Sequence, residues 1–311
     1  MPGPYAHITL LHELIKQNKL ESVFSPSHEF TDIIKNYFPY CTLGAVSPDY
    51  PNLARRDSNA YRWADAMHYT RACEMITSGV RLLRGSEGAV RDKQLAWLLG
   101  YCAHVATDVT IHPIVQAKVG IYAKNQRQHR VCEMNQDSYI YSRMNLGEIG
   151  QSDLFARTIT NCSDSACGTL LDRDIVNLWS AMLEEVHHDM FFAHPPVIEL
   201  WHSEFVTIVE CCRDENIRLF PLAAIISERM DLAYPKYIEI DQQFLRKQLI
   251  PTPTPQYMHY NDIFDHAVDN VAALWNRVEL AVYNVNHSSK FILGNWNLDN
   301  GLDEYGQLVF W

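Results

Sequence analysis

The chain has 311 residues, enough for one large globular core, and an ordinary balance of 47% hydrophobic and 20% charged residues. With 26 basic against 37 acidic side chains the formal charge is −11, and no lysine or arginine block offers the phosphate neutralisation that non-specific nucleic-acid binding requires. No apolar run approaches the roughly 18 to 20 residues that span a bilayer, and Met1–His7 has neither a basic nor an apolar leader region.

Helical periodicity dominates from the start. It predicts a first helix over 6–17 and a short second one over 28–37, stopped by Phe38-Pro39. Residues 41–56, with Gly44, Pro48 and Pro51, read as loop. Asp57 or Ser58 is placed to cap a long helix reaching about Leu83, and Gly85–Gly88 turns the chain into the next, over about 89–112. Pro113 biases His112 away from helical geometry, so this helix is expected to stop there. Residues 125–143 read as helix and 144–170 as a long polar connection. Further helices are expected at 172–190, 196–212, 216–231 and 259–285, with Pro251–Pro255 as an extended spacer. The end, 286–311, loses the period, and Asn297–Gly301 signals a turn within a small irregular or hairpin tail. The expected class is all-α, as a helical domain over 1–285 and a tail over 286–311. Phe291, Trp296 and Val309–Trp311 give that tail apolar groups for docking on the core, a neighbouring subunit or a lipid surface, and a homo-oligomer is one outcome.

The stretch Gly100–Pro113 carries the chemistry. His104, Asp108 and His112 recur every four residues, a polar stripe about 12 Å long on an otherwise apolar helix. That is too long for a single ion and suits a row of metals sharing the central carboxylate. Five more candidate ligands lie in the first 133 residues: His7, Asp49 between two prolines, His68, and the i, i+4 pair His129 and Glu133. Each alone reads as a surface or turn residue. Together they form an imidazole and carboxylate set without cysteine, which suits zinc. Groups of this kind buried without partners would cost several kcal/mol each.

The eight cysteines show no zinc-ribbon spacing and read as reduced thiols of a cytoplasmic protein, with Cys162 and Cys167 as an alternative disulfide. His187, His188 and His194 invite a second metal reading, but adjacent histidines face different sides of a helix and a solvated helix end explains them. No serine elbow or glycine-rich phosphate loop is present.

The ordered set His7, Asp49 in Pro-Asp-Tyr, His68, His104-x3-Asp108-x3-His112 and His129-x3-Glu133 resembles the zinc-dependent phospholipase C family, which shares its fold with S1/P1-type nucleases. The resemblance covers about residues 3 to 140. It implies a multi-helix bundle and two or three zinc ions. Asp49, His68, His104 and Asp108 would hold one; His112, His129 and Glu133 a second; His7, Asp108 and the N-terminus a third. It further implies Asp49 as catalytic general base. Tyr50 and Asp65 are candidate substrate contacts, Asp65 also as a group that orients His68; Trp63 and Tyr69 are aromatic neighbours. The x3 spacing before His112 is closer to the N-terminal domain of glycosylphosphatidylinositol-specific phospholipase D than to the secreted bacterial enzymes. Those enzymes begin with Trp, whereas this chain begins Met1-Pro2, so removal of Met1 would be needed to bring an amine near His7. The implied activity is hydrolysis of a phospholipid phosphodiester with transient membrane-surface contact. The alternatives are a single-strand nuclease, for which Glu133 and the acidic balance argue less well, and a non-catalytic metal-binding member.

Overall fold

The computed structural model describes residues 3–16, 20, 28–211, 218–284 and 291–311. Its elements are α1 (Pro4–Lys16), α2 (His28–Asn36), α3 (Phe38–Gly44), a 3-10 turn (Ser47–Leu53), α4 (Ala60–Tyr69), α5 (Ala72–Leu83), α6 (Gly88–Val119) and α7 (Tyr122–Tyr141). There follow α8 (Leu154–Thr160), α9 (Arg173–Val186), α10 (His188–Ala193), α11 (Ile198–Cys211), α12 (Pro221–Met230), the strands β1 (Gln248–Ile250) and β2 (Gln256–Met258), and α13 (Tyr260–Tyr283). The class is mostly helical with one antiparallel hairpin, Leu249 opposite Tyr257. No described helix is long and apolar enough to cross a membrane.

The axle of the fold is α6, buried without interruption from Gln94 to Val115. An apolar surface all the way round a helix leaves no face for water, so other helices must enclose it. The most extensive contacts come from α3 and α13. The α3 crossing is a backbone-to-backbone approach: a Cβ on Gly44 would sit 2.0 Å from the Trp97 carbonyl, and one on Gly100 1.9 Å from that of Cys41. Two facing glycines let the helices touch, and the contact sets the Ala45 carbonyl against α6. From α13, the Trp275 indole donates to the Leu99 carbonyl at 2.7 Å.

Several sequence expectations are corrected. Residues 41–56 are not open loop, because Pro39 starts α3 and Pro48 starts the 3-10 turn. Proline is tolerated in a first helical turn, where its missing N–H has no bond to make. The helix expected from Asp57 to Leu83 breaks at Thr70-Arg71, where Arg71 is left-handed with φ 56°. The helix of the His/Asp stripe runs through Pro113 to Val119, since burial on every side outweighs the one backbone bond proline removes. The connection 144–170 contains α8, the long helix expected over 172–190 divides into α9 and α10 at His187, and Pro251–Pro255 is the hairpin loop between β1 and β2. All seven described cysteines are free, including Cys162 and Cys167.

Candidate metal centre

Three elements converge on the middle of α6. One turn apart on it lie His104, Asp108 and His112, all buried. Across from them, α1 contributes His7, the 3-10 turn contributes Asp49 and α4 contributes His68, each also buried. His7 stacks on His104 with ring centroids 4.2 Å apart. The central carboxylate faces two ways. Asp108 Oδ2 lies 3.4 Å from His104 Nε2 and 3.9 Å from His68 Nε2. Its Oδ1 lies 3.3 Å from His7 Nε2 and 4.0 Å from His112 Nε2. Asp49 Oδ1 approaches His68 Nε2 at 3.6 Å.

For three of the four rings the far side explains the orientation, whereas neither nitrogen of His7 has a hydrogen-bond partner. His68 Nδ1–H donates to the Ala64 carbonyl at 2.6 Å, His104 Nδ1–H to that of Ala45 at 2.9 Å, and His112 Nδ1–H to that of Leu298. A neutral imidazole that donates from Nδ1 presents a lone pair at Nε2. The Nε2 atoms of His68 and His104 are nevertheless only 3.2 Å apart. Around them His7 Nε2, His112 Nε2, Asp49 Oδ1 and both Asp108 oxygens are buried with no hydrogen-bond partner. Acceptors pointing at acceptors in a dry interior repel unless a cation lies among them. The donor types are imidazole nitrogen and carboxylate oxygen, and outward carbonyls of this kind are what hold ligating histidines. The residues fit a zinc cluster.

The field of the cluster acts on its members in different senses. Burial pulls His7, His68 and His112 below the ordinary histidine range, His112 to about 3. Burial opposes the charge on Asp108 too, yet His104 and His112 hold its carboxyl well below the usual range. Burial acts against the charge on His104 as well, but Asp108, Asp49 and the Ala45 carbonyl together raise it.

Among the described residues, the groups whose ligand atoms lie within 4.8 Å of one another are His7–His104–Asp108 and Asp49–His68–His104. His129 and Glu133 on α7 stand beside this core and face each other, Nδ1 to Oε1, at 3.8 Å. His129 Nε2–H donates to the Gly120 carbonyl. Glu133 Oε2 accepts from Arg130 at 2.8 Å, a contact in which burial and the nearby guanidinium act on Glu133 in opposite senses, with a depressed carboxyl as the result. His112, His129 and Glu133 do not close to the spacing of the other groups. The amine expected from Met1-Pro2 lies outside the described residues.

A cavity of about 300 Å³ opens beside the cluster, lined by Asp49, His68, Asp65, Tyr69, Tyr122 and Arg130, with Leu222, Ile225, Ile226 and Met230 of α12 as an apolar wall. Asp65 lines it. Tyr50 does not: it is fully buried, packed on Trp179 and Phe205, and hydrogen-bonded through its hydroxyl to His202 Nδ1 at 2.8 Å. Next to Asp49 in sequence, it points the opposite way and anchors the turn.

Sequence reasoning missed Arg130, the α12 wall and the Leu298–Asp299 corner. Arg130 was hidden between two candidate ligands, where its place three residues before Glu133 on one helix was the available signal. The corner lies within the Asn297–Gly301 turn signal, but far along the chain, and nothing local ties that turn to the cluster. Burial raises the Asp299 carboxyl, and the Asp108 charge raises it further, so it belongs to the field of the cluster.

A family model for zinc dependent phospholipase C matches residues 6–189, more than half of the chain. Comparison with curated proteins and with solved structures returns no match. The matched span holds every imidazole and carboxylate of the cluster, and on that ground the chain belongs to the zinc-dependent phospholipase C family.

Proposed function

We propose that this chain is a metal-dependent phosphodiesterase of phospholipase C type, cleaving a phospholipid to diacylglycerol and a phosphorylated head group. The observation that carries the reading is Asp108, a buried carboxylate with both oxygens unpartnered and each facing a different imidazole set. Asp49, His68, His104 and Asp108 would hold one zinc ion, Asp108 and His7 another, and His112, His129 and Glu133 a further one. Bound divalent ions supply Lewis acidity toward a phosphoryl oxygen and make water a nucleophile near neutral pH.

The chain's own side chains do the rest. Asp49 carries its unpartnered Oδ1 at the cavity and is placed to take the proton of the attacking water. Arg130 brings a permanent positive charge to the same wall, suited to a phosphate oxygen. Leu222, Ile225, Ile226 and Met230 offer an apolar surface to the glycerol and acyl portion. As water attacks phosphorus, the bond to the glycerol oxygen breaks and that oxygen leaves with a proton.

The test is zinc-loaded protein on phosphatidylcholine vesicles, with a p-nitrophenyl phosphodiester in parallel. Diacylglycerol release that a chelator abolishes is the expected result. Cleavage of single-stranded DNA with no lipid turnover would assign the nuclease activity instead. Zinc binding without hydrolysis of either would leave a non-catalytic member.

A further inference from the structure

The family match ends at residue 189, yet the segment 291–311 lies directly on the metal helix. It meets α6 at Pro113, which lies inside the helix. Proline has no N–H, so the Val109 carbonyl one turn earlier lacks its helical donor. Gly301 crosses this spot with φ 67°, and a Cβ there would fall 2.4 Å from Pro113 Cγ and 2.5 Å from the Val109 oxygen. The Trp311 indole donates to the Thr110 carbonyl at 2.9 Å, and Asn270 of α13 donates to the Thr110 hydroxyl at 3.1 Å.

The approach is a built turn. Asn297 Oδ1 accepts from the backbone N–H of Asp299 and of Asn300, at 2.9 and 3.3 Å, and Gly301 N–H returns to the Asn297 carbonyl at 2.9 Å. The turn buries Leu298 completely and aims its carbonyl at His112 Nδ1. His112 Nε2 is thereby left without a proton, unpartnered and 4.0 Å from Asp108 Oδ1.

We propose that the Asn297–Gly301 turn is a positioning clamp for His112, docked on Pro113 of α6 so that the Leu298 carbonyl fixes the ring with Nε2 toward the cluster. The clamp rests on the zinc reading of the site. It assigns a role to a part of the chain outside the family match, where His68 and His104 take their carbonyls from within it.

The experiment measures zinc stoichiometry and stepwise affinity by chelator competition on the full chain, with circular dichroism to confirm helix content. Gly301→Val forces the turn off Pro113. Asn297→Ala removes only the side-chain acceptor that shapes the turn, and serves if the first variant does not fold. The expected result is that one zinc equivalent weakens by roughly 10- to 100-fold, the usual effect of losing a group that orients a ligand, while the others keep wild-type affinity. Folded Asn297→Ala protein with every equivalent unchanged would overturn the clamp, as would equal weakening of all of them. Wild-type chain that takes up no zinc would remove the metal reading, and the clamp with it.

Discussion

His68 and His104 meet nitrogen to nitrogen, 3.2 Å between their Nε2 atoms, while the other nitrogen of each ring is tied to a backbone carbonyl. Neither ring is free to turn away, so the two lone pairs are held together by the surrounding fold. Zinc should therefore stabilise the native state strongly, by about 3 to 4 kcal/mol when free zinc exceeds its dissociation constant 100- to 1,000-fold. Thermal unfolding with zinc and with excess chelator checks this, the chelated protein melting lower.

Asp108 is shared between two imidazole sets, one at each oxygen. Asp108→Ala should then lose more than one zinc equivalent, whereas His7→Ala should lose no more than one. Elemental analysis of purified, folded variants distinguishes these outcomes.

Arg130 lines the cavity and bonds Glu133 at 2.8 Å and the Tyr122 hydroxyl at 3.2 Å. Charge-assisted hydrogen bonds contribute about 1.5 to 3 kcal/mol, equivalent to roughly 10- to 150-fold. Arg130→Gln should lower kcat/KM for a phosphodiester by about that factor. Steady-state kinetics on a lipid and on a p-nitrophenyl substrate measures it, with zinc content followed alongside.

Asp137 sits one turn beyond Glu133 on α7 and receives the Ala6 backbone N–H at 2.8 Å and the Tyr234 hydroxyl at 3.3 Å. It caps α1 from another helix and so steadies the turn that carries His7. Asp137→Ala would strand a buried N–H, a loss of about 1 to 3 kcal/mol. Urea denaturation should show a lower midpoint with an unchanged slope.

His202 bridges the Tyr50 hydroxyl at 2.8 Å and the Ser163 hydroxyl at 2.9 Å, and burial pulls it down to about 4. In the unfolded chain its value returns to about 6.5. Between those limits the unfolded state binds the extra proton, so stability is full above about pH 6.5 and falls as pH drops toward 4. The loss is on the order of 3 kcal/mol. In chelated protein the gap in melting temperature between wild type and His202→Gln should narrow from pH 7 to pH 5. A constant gap would exclude His202 from the acid response.

The helices around the stripe were legible because periodicity records a buried face directly, and the four-residue spacing of His104, Asp108 and His112 requires one side of one helix. The proline breaks were less so. Pro39 and Pro48 read as interruptions, yet each begins a helical turn. Pro113 read as an end, yet α6 continues because its flanks are enclosed by packing that no local rule registers.

By itself the sequence determined the all-helical class, the ordered set of imidazoles and carboxylates, and the family. Tertiary structure alone decided which nitrogen of His68, His104 and His112 faces inward, that Tyr50 turns away from the cavity beside Asp49, and that Leu298 answers His112 across 186 positions. The reason is physical. Residue type and helical spacing are local properties, whereas a tautomer and an orientation are set by whichever backbone carbonyl the fold brings to the other side of the ring.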